Sequence, residues 1–392
     1  MLRGEFIENY NEVMVSKAIM KIPQYSDYFS PILESCPFDI RKLNPLESAQ
    51  CPVMKTDLEK IHTQNHENEE NEIRDSTLPG VDGNEDGEEN AHENNGNNNE
   101  NNENKIENEI DMADINYITS TMKYVGDESV EDYLIDKINE NVLLGVEYTY
   151  NLHKHLLQSL NQLHTVSDPI IHFDIKSNNI IIDDIFHKPI LIDFGFSFTK
   201  KYLVKSSNKI HDLDFYFWSY QSTHDQSFVI NWCLEVDILC YIVQVKLKKN
   251  DGKLDDIIHS NDINDLHTTI DNYIHKTELK RNLLLTTTDI DNYTIDMKNY
   301  IKNFHNLNWK FLIDNLIETW THWDNYSLAL MFSNFIQKKN GDYRSNPFIG
   351  DYTDILRDSL LSVPGKGIVL NPRNMIDLLE NTWMNYKYMK GP

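Results

Sequence analysis

Positive charge, cysteine, early glycine and long apolar runs are all scarce in this 392-residue chain. The 36 Lys and Arg stand against 62 Asp and Glu, a formal net charge of -26, which argues against a nucleic-acid-binding surface because a polyanion would be repelled. The 4 cysteines, Cys36, Cys51, Cys233 and Cys240, have neither CxxC nor framework spacing. That excludes a disulfide scaffold and fits free thiols in a reducing compartment. The 15 histidines are scattered, with no pair in a zinc-ligand context. No run of about eighteen apolar residues exists to span a membrane, and Met1-Leu2-Arg3-Gly4-Glu5 opens no signal peptide. A cytoplasmic protein, binding neither membrane nor nucleic acid, is expected. Gly4 is the only glycine before Gly80, and Lys17 is the first lysine. What is present, 40% hydrophobic residues with 6 Trp, 20 Tyr and 16 Phe, is ample for a core in one large or two modest domains.

The most informative stretch is Ile170 to Ser197, IIHFDIKSNNIIIDDIFHKPILIDFGFS. His172-Phe173-Asp174-Ile175-Lys176-Ser177-Asn178-Asn179 sets an acid, a lysine and an amide in one loop. Two apolar runs, Ile180-Ile182 and Ile190-Ile192, flank an Asp183-to-Lys188 turn and predict a hairpin. The second run delivers Asp193-Phe194-Gly195. Transfer of a γ-phosphoryl group is mostly positioning and charge neutralisation, which calls for a carboxylate, metal ligands and a cation. Asp174 is the candidate to orient an acceptor hydroxyl and take its proton. Lys176 would balance charge on the transferring phosphate. Asn179 and Asp193 are candidate Mg²⁺ ligands, offering the oxygens that hard cation prefers, and Gly195 lets the chain turn behind Asp193.

This order of motifs resembles the catalytic loop and Asp-Phe-Gly corner of eukaryotic-type protein kinases. The resemblance implies an α+β, two-lobed fold, ATP and Mg²⁺ as cofactors, and a protein Ser/Thr hydroxyl as acceptor. Aminoglycoside-type small-molecule kinases share the loop acid and asparagine, but Lys176 favours a protein substrate. Phe173 stands where most of the family has an Arg that pairs with a phosphorylated activation loop, which argues against such switching. The long Asn/Asp-rich inserts and Trp218-Ser219-Tyr220-Gln221 further resemble kinases of large DNA viruses, implying host cytoplasm or virion.

Around the motif, a helix is expected over Glu5–Ile22, with Phe6, Tyr10, Val13 and Met20 near one face and Pro23 stopping it. A short strand, Tyr28–Leu33, follows. The resemblance makes these helix C and strand four, with Glu12 the candidate helix C glutamate and Glu8 second. The family's glycine-rich loop and strand-three lysine have no counterpart before Glu12, which implies a shortened N-lobe, a misplaced start, or a protein that works without them. Between Glu67 and Asp111 sixteen acids face only Arg74 and Lys105 amid Asn repeats, a composition expected to be disordered. Ile115–Gly126 resembles strand five and the hinge, with Met122 the gatekeeper and the backbone of Lys123 and Val125 facing adenine. Helix D would follow Ser129. Val142–His164 is expected to be a long helix with Leu143, Val146, Leu152, Leu156, Leu160 and Leu163 inward.

The expected layout is therefore a partial N-lobe over 1–122 holding an acidic insert at about 63–112, then hinge and C-lobe over 123–392 with a second, partly helical insert at about 250–306. After Gly195, Thr199, Ser206 and Ser207 are expected to be exposed hydroxyls. Trp218–Gln221 occupies the place of the family's Ala-Pro-Glu, and Arg373 would meet Gln221. Asp324, in Asp-x-Tyr-Ser-Leu, is the preferred residue to cap the catalytic loop, with Glu235-Val236-Asp237 competing. A pseudokinase or binding module is the alternative that the missing glycine loop and lysine favour.

Overall fold

The computed structural model describes residues 2–38, 117–217, 231–249, 253–339, 341–366 and 370–390. The chain runs α1 (Leu2–Ile19), β1 (Ile32–Phe38), β2 (Tyr117–Met122), α2 (Val130–Glu140), α3 (Val142–Thr165), β3 (Ile170–Ile171), β4 (Ile180–Ile182), β5 (Pro189–Leu191) and β6 (Phe198–Thr199). Then follow α4 (Lys200–Ser206), α5 (Ile210–Tyr216), α6 (Leu234–Tyr241), α7 (Ser260–Lys276), α8 (Thr287–Lys302), α9 (Trp309–Ile317), α10 (Trp320–Gln337), α11 (Pro347–Leu360) and α12 (Pro372–Lys390). The result is mixed α/β and mainly helical. Two compact units form, one of residues 1–34 with 121–392, the other of residues 35–120. Strand β1 pairs with β2, and the ends of these strands are the described part of the second unit. The acidic Asn-rich insert and Trp218–Gln221 lie outside the described residues.

In the first unit, the hairpin expected from the two isoleucine-rich runs is β4–β5, antiparallel with Ile180 opposite Leu191 and Ile182 opposite Pro189. The turn is set by Asp183, whose Oδ1 accepts from Ile185 N at 2.9 Å and Phe186 N at 2.7 Å, a short-range bond that competes well with extended structure. Both edges of the hairpin are covered. Ile182 N donates to Glu128 O at 2.9 Å along one edge, and on the other Ser30 N donates to Leu191 O at 3.0 Å. Gly126 permits the first contact. A Cβ there would stand 2.4 Å from Ile182 O, and its φ of +157° is open only to glycine at low cost.

Helix α1 buries Val15 and Ile19, and Ile22 in the turn that follows is buried as well. Val13 and Met20, expected inward, are only half-buried, because the core lies against the 15/19 face; the side chains of Phe6 and Tyr10 lie outside the described set. The expected strand at Tyr28 starts only at Ile32, after a 3₁₀ turn at Tyr25–Asp27. Asn141 caps α3 by accepting from Leu143 N at 2.8 Å. Val146, Leu152, Leu156, Leu160 and Leu163 are buried as the helical period predicts, whereas Leu143 is 52% exposed. Leu143 sits in the first turn, ahead of the packed face.

The region 253–306 folds into α7 and α8, whose Leu266, Ile270, Met297 and Ile301 are fully buried. Helix α10 is buried on nearly every side, from Trp320 through Ile336, which is the signature of a central core helix. Among the described residues no helix is long and apolar enough to cross a membrane.

Candidate active site

The loop after β3 is built on one carboxylate. Asp324, buried at the first turns of α10, accepts from His172 N on Oδ2 and Phe173 N on Oδ1, both at 2.8 Å. Two successive amides can point at one carboxylate only if the chain bends sharply between them, and Phe173 takes a left-handed φ of +68°, a conformation costing about 1 kcal/mol or more for a non-glycine residue. Its ring offsets that cost by burial, with ring centroids of Trp232 at 4.6 Å, Phe198 at 4.9 Å and Trp323 at 5.9 Å. Of the two candidates for this capping role, Asp324 makes the bonds.

Beyond Phe173 the loop presents the expected polar set. Asp174 Oδ2 accepts from Lys176 Nζ at 2.7 Å and from Asn179 Nδ2 at 2.9 Å. The same Asn179 nitrogen donates to Asp174 O at 2.9 Å. This commits the amide nitrogen to the acid and leaves Asn179 Oδ1 as the acceptor atom. The Asp174 side chain is 12% exposed and that of Lys176 41%. Asp193 is brought alongside because Ile192 N donates to Asn179 O at 3.1 Å, and His172 Nε2 meets Ile192 O at the same distance. Asp193 is exposed, with a left-handed φ of +62°. Phe194 beside it is fully buried, 5.0 Å from the His172 ring and 6.2 Å from Phe29.

Glu12 joins this corner from α1, its carboxyl accepting a hydrogen bond from Phe194 N–H. Burial first, and then the neighbouring Asp193 carboxylate, raise its pKa, while the Phe194 bond lowers it. Asn11 on the same helix donates its Nδ2 to Ser197 O.

The hinge candidates lie on the strand side. Met122 ends β2 and is 40% exposed. Lys123 O accepts from Ser30 Oγ at 2.8 Å, and Val125 O accepts from Asp184 N at 3.0 Å. Each carbonyl keeps a second lone pair, but both are tied to protein first.

Asp193 and Asn179 offer oxygen donors suited to Mg²⁺, which takes one or two carboxylates and completes its shell with water and phosphate. Among the described residues there is no group of three or more His, Cys, Asp or Glu able to hold a metal by itself.

The expected exposure of Ser206 and Ser207 is corrected here. Ser206 and Ser207 are 2% exposed, because α4 folds them inward; Ser207 Oγ donates to Val204 O at 2.8 Å. Thr199 caps α4 by accepting from Tyr202 N. Arg373 is exposed and faces Asp377 at 3.5 Å, while Gln221 lies outside the described residues.

Sequence reasoning missed Trp232, whose Nε1 donates to Phe173 O at 2.8 Å from 59 residues away. No local pattern could have linked them. Glu235, three residues on, is fully buried with Oε2 unpartnered, and burial pushes its carboxyl up to about 7. A carboxyl whose folded pKa exceeds its unfolded value destabilises most above the folded pKa and least below the unfolded one, near 4. Glu235→Gln is therefore expected to raise stability at pH 8 by about 1–3 kcal/mol, with the gain shrinking toward pH 4.5, as read by denaturant midpoints. Buried His153 and His322, lowered to about 3 and about 4, act oppositely below about pH 6.5 but cancel in the parent-to-variant difference.

No family model matches the chain. It is similar to two proteins of Dictyostelium discoideum. The probable inactive serine/threonine-protein kinase samkD is 33% identical over 88 residues, 22% of this chain and 15% of that protein. The probable serine/threonine-protein kinase samkB is 44% identical over 48 residues, 12% of this chain and 8% of that protein. The matches thus span a small part of either relative, and they support a kinase-like relationship over part of the chain.

Proposed function

We propose that this chain binds ATP with Mg²⁺ at the Asp174–Asn179–Asp193 corner, within a kinase-like two-lobed fold, and transfers the γ-phosphoryl group to a serine or threonine hydroxyl of a protein. The observation that carries the reading is the pair of hydrogen bonds that Asn179 Nδ2 donates to the carboxylate and the carbonyl of Asp174. It holds Asp174 with Oδ2 engaged and Oδ1 left to orient and deprotonate a hydroxyl. It also turns Asn179 Oδ1 into a ligand atom beside Asp193. Mg²⁺, when bound, neutralises charge on the phosphates. Lys176 lies 2.7 Å from Asp174 Oδ2 and is exposed enough to move onto a transferring phosphate.

A binding module without transfer is the second reading, and two observations favour it. Burial and Asp193 both raise the Glu12 pKa, and among the described residues no cation offsets them, so the charge pairing that would grip phosphates from above is missing there. One relative is also named as probably inactive.

Mg²⁺-dependent thermal stabilisation by ATP, followed by transfer of labelled phosphate to a generic protein substrate, separates the two. Saturating nucleotide at about 100 times Kd stabilises by about 2.7 kcal/mol, and Asp193→Ala is expected to lose that effect. Stabilisation without transfer would select the binding module. No stabilisation of the parent protein would end the nucleotide reading.

A further inference from the structure

We infer that Trp232 is a positioning residue for Asp174, held in place by Tyr273. The inference rests on the proposed phosphoryl transfer for its catalytic consequence, but the geometry stands on its own. The carbonyl of Phe173 and the amide of Asp174 belong to one peptide plane, so whatever fixes that carbonyl fixes the direction in which Asp174 leaves the backbone. Asp324 holds the amide of Phe173. Trp232 Nε1 holds its carbonyl at 2.8 Å. Between them, both soft dihedrals of a residue in a left-handed conformation are pinned. The indole also packs on the Phe173 ring at 4.6 Å, so hydrogen bond and ring contact act from the same side chain.

Trp232 is anchored in turn to the helix that carries Asp324. Its carbonyl accepts from Tyr273 Oη on α7 at 2.8 Å, and that hydroxyl meets Tyr326 Oη at 2.8 Å. Ser327 Oγ donates to Asn231 O at 2.6 Å. Tyr326 and Ser327 lie two and three residues after Asp324 on α10, so one helix grips the loop twice, once by a carboxylate and once through Tyr273 and Trp232. Trp232, Tyr273 and Tyr326 are all buried, where polar groups hold their partners firmly. The helices between Cys233 and Ile317 thereby gain a role: through Tyr273 they stiffen the loop.

Trp232→Phe keeps an aromatic ring and removes the N–H; Tyr273→Phe removes the anchoring hydroxyl. The first readout is amide hydrogen exchange of full-length protein, which needs no activity. Exchange over Ile171–Asn179 is expected to quicken about tenfold in both variants, with α3 unchanged. The second is steady-state kinetics with Mg²⁺ and ATP. Here kcat is expected to fall about 10- to 100-fold, as a small misplacement of a catalytic group does, while KM for ATP stays within about twofold and nucleotide-binding stoichiometry is unchanged. A merely structural residue would lower stoichiometry and kcat together. Unchanged exchange in Trp232→Phe overturns the inference, whether or not the parent is active. So does an unchanged kcat in an active parent. A parent with no transfer would instead refute the proposed function, leaving exchange to decide the positioning role.

Discussion

Asp324→Ala is expected to lower the unfolding free energy by about 3–6 kcal/mol, since it strips two buried amides of charge-assisted bonds worth about 1.5–3 kcal/mol each. The amides of His172 and Phe173 both reach this carboxylate at 2.8 Å, and no water-facing route relieves them, as both residues are buried. That is a large share of the 5–15 kcal/mol that holds a typical domain together. The loss would not stop at stability. Without the carboxylate, the left-handed turn at Phe173 loses one of the interactions that stabilise it, beside the Trp232 bond and the burial of its ring, and Asp174 is carried with it. Asp324→Asn can satisfy one amide through Oδ1 but sets an NH₂ against the other, so an intermediate loss is expected. Urea denaturation of parent and both variants gives the order. A midpoint for Asp324→Ala equal to the parent's would show that the loop is held by something else.

Asp174→Asn should have the second large effect, on rate rather than stability. Removing a positioned base costs about 10²- to 10⁴-fold in transfer. Asn retains an oxygen for the bonds from Lys176 and Asn179, and the ion pair with Lys176 is too exposed to contribute more than about 1 kcal/mol. Stability is therefore expected to stay within about 1 kcal/mol and ATP-dependent stabilisation to persist. Single-turnover transfer measured beside thermal shifts tests both. Undiminished transfer in Asp174→Asn would remove Asp174 from the chemistry.

Much of the site's local order was legible because its causes are local. The β4–β5 hairpin follows from two apolar runs and a turn whose Asp183 bonds the next residues. The length and inward face of α3 follow from a 3.6-residue period, and its one misplaced residue, Leu143, lies at the first turn, where that period does not yet meet a neighbour. The acid, lysine and amide of the Asp174–Asn179 loop meet because they are close in sequence and the 3₁₀ turn at Ser177–Asn179 folds them back. Asp324 is preferred to the Glu235-Val236-Asp237 stretch because Asp-x-Tyr-Ser-Leu is the closer match to the resembled family's helix opening.

What could not be read is what depends on partners far along the chain. The burial of Ser206 and Ser207 follows from the fold of α4, at whose end Ser207 Oγ accepts from Lys310 Nζ at 3.3 Å from far along the chain. Glu235 looks like an ordinary helix-start acid, yet burial raises its pKa. Phe173 in place of an arginine suggested only the loss of a charge. Its ring instead joins Trp232, Phe198 and Trp323 in a buried cluster. By itself the sequence determined which groups stand in the Ile170–Ser197 stretch and in what order, since hairpin, turn and helix are set within a few residues. Only the tertiary structure decided how that stretch is aimed, because a peptide plane is oriented by the groups that hydrogen-bond to it, and here those come from Asp324 and Trp232.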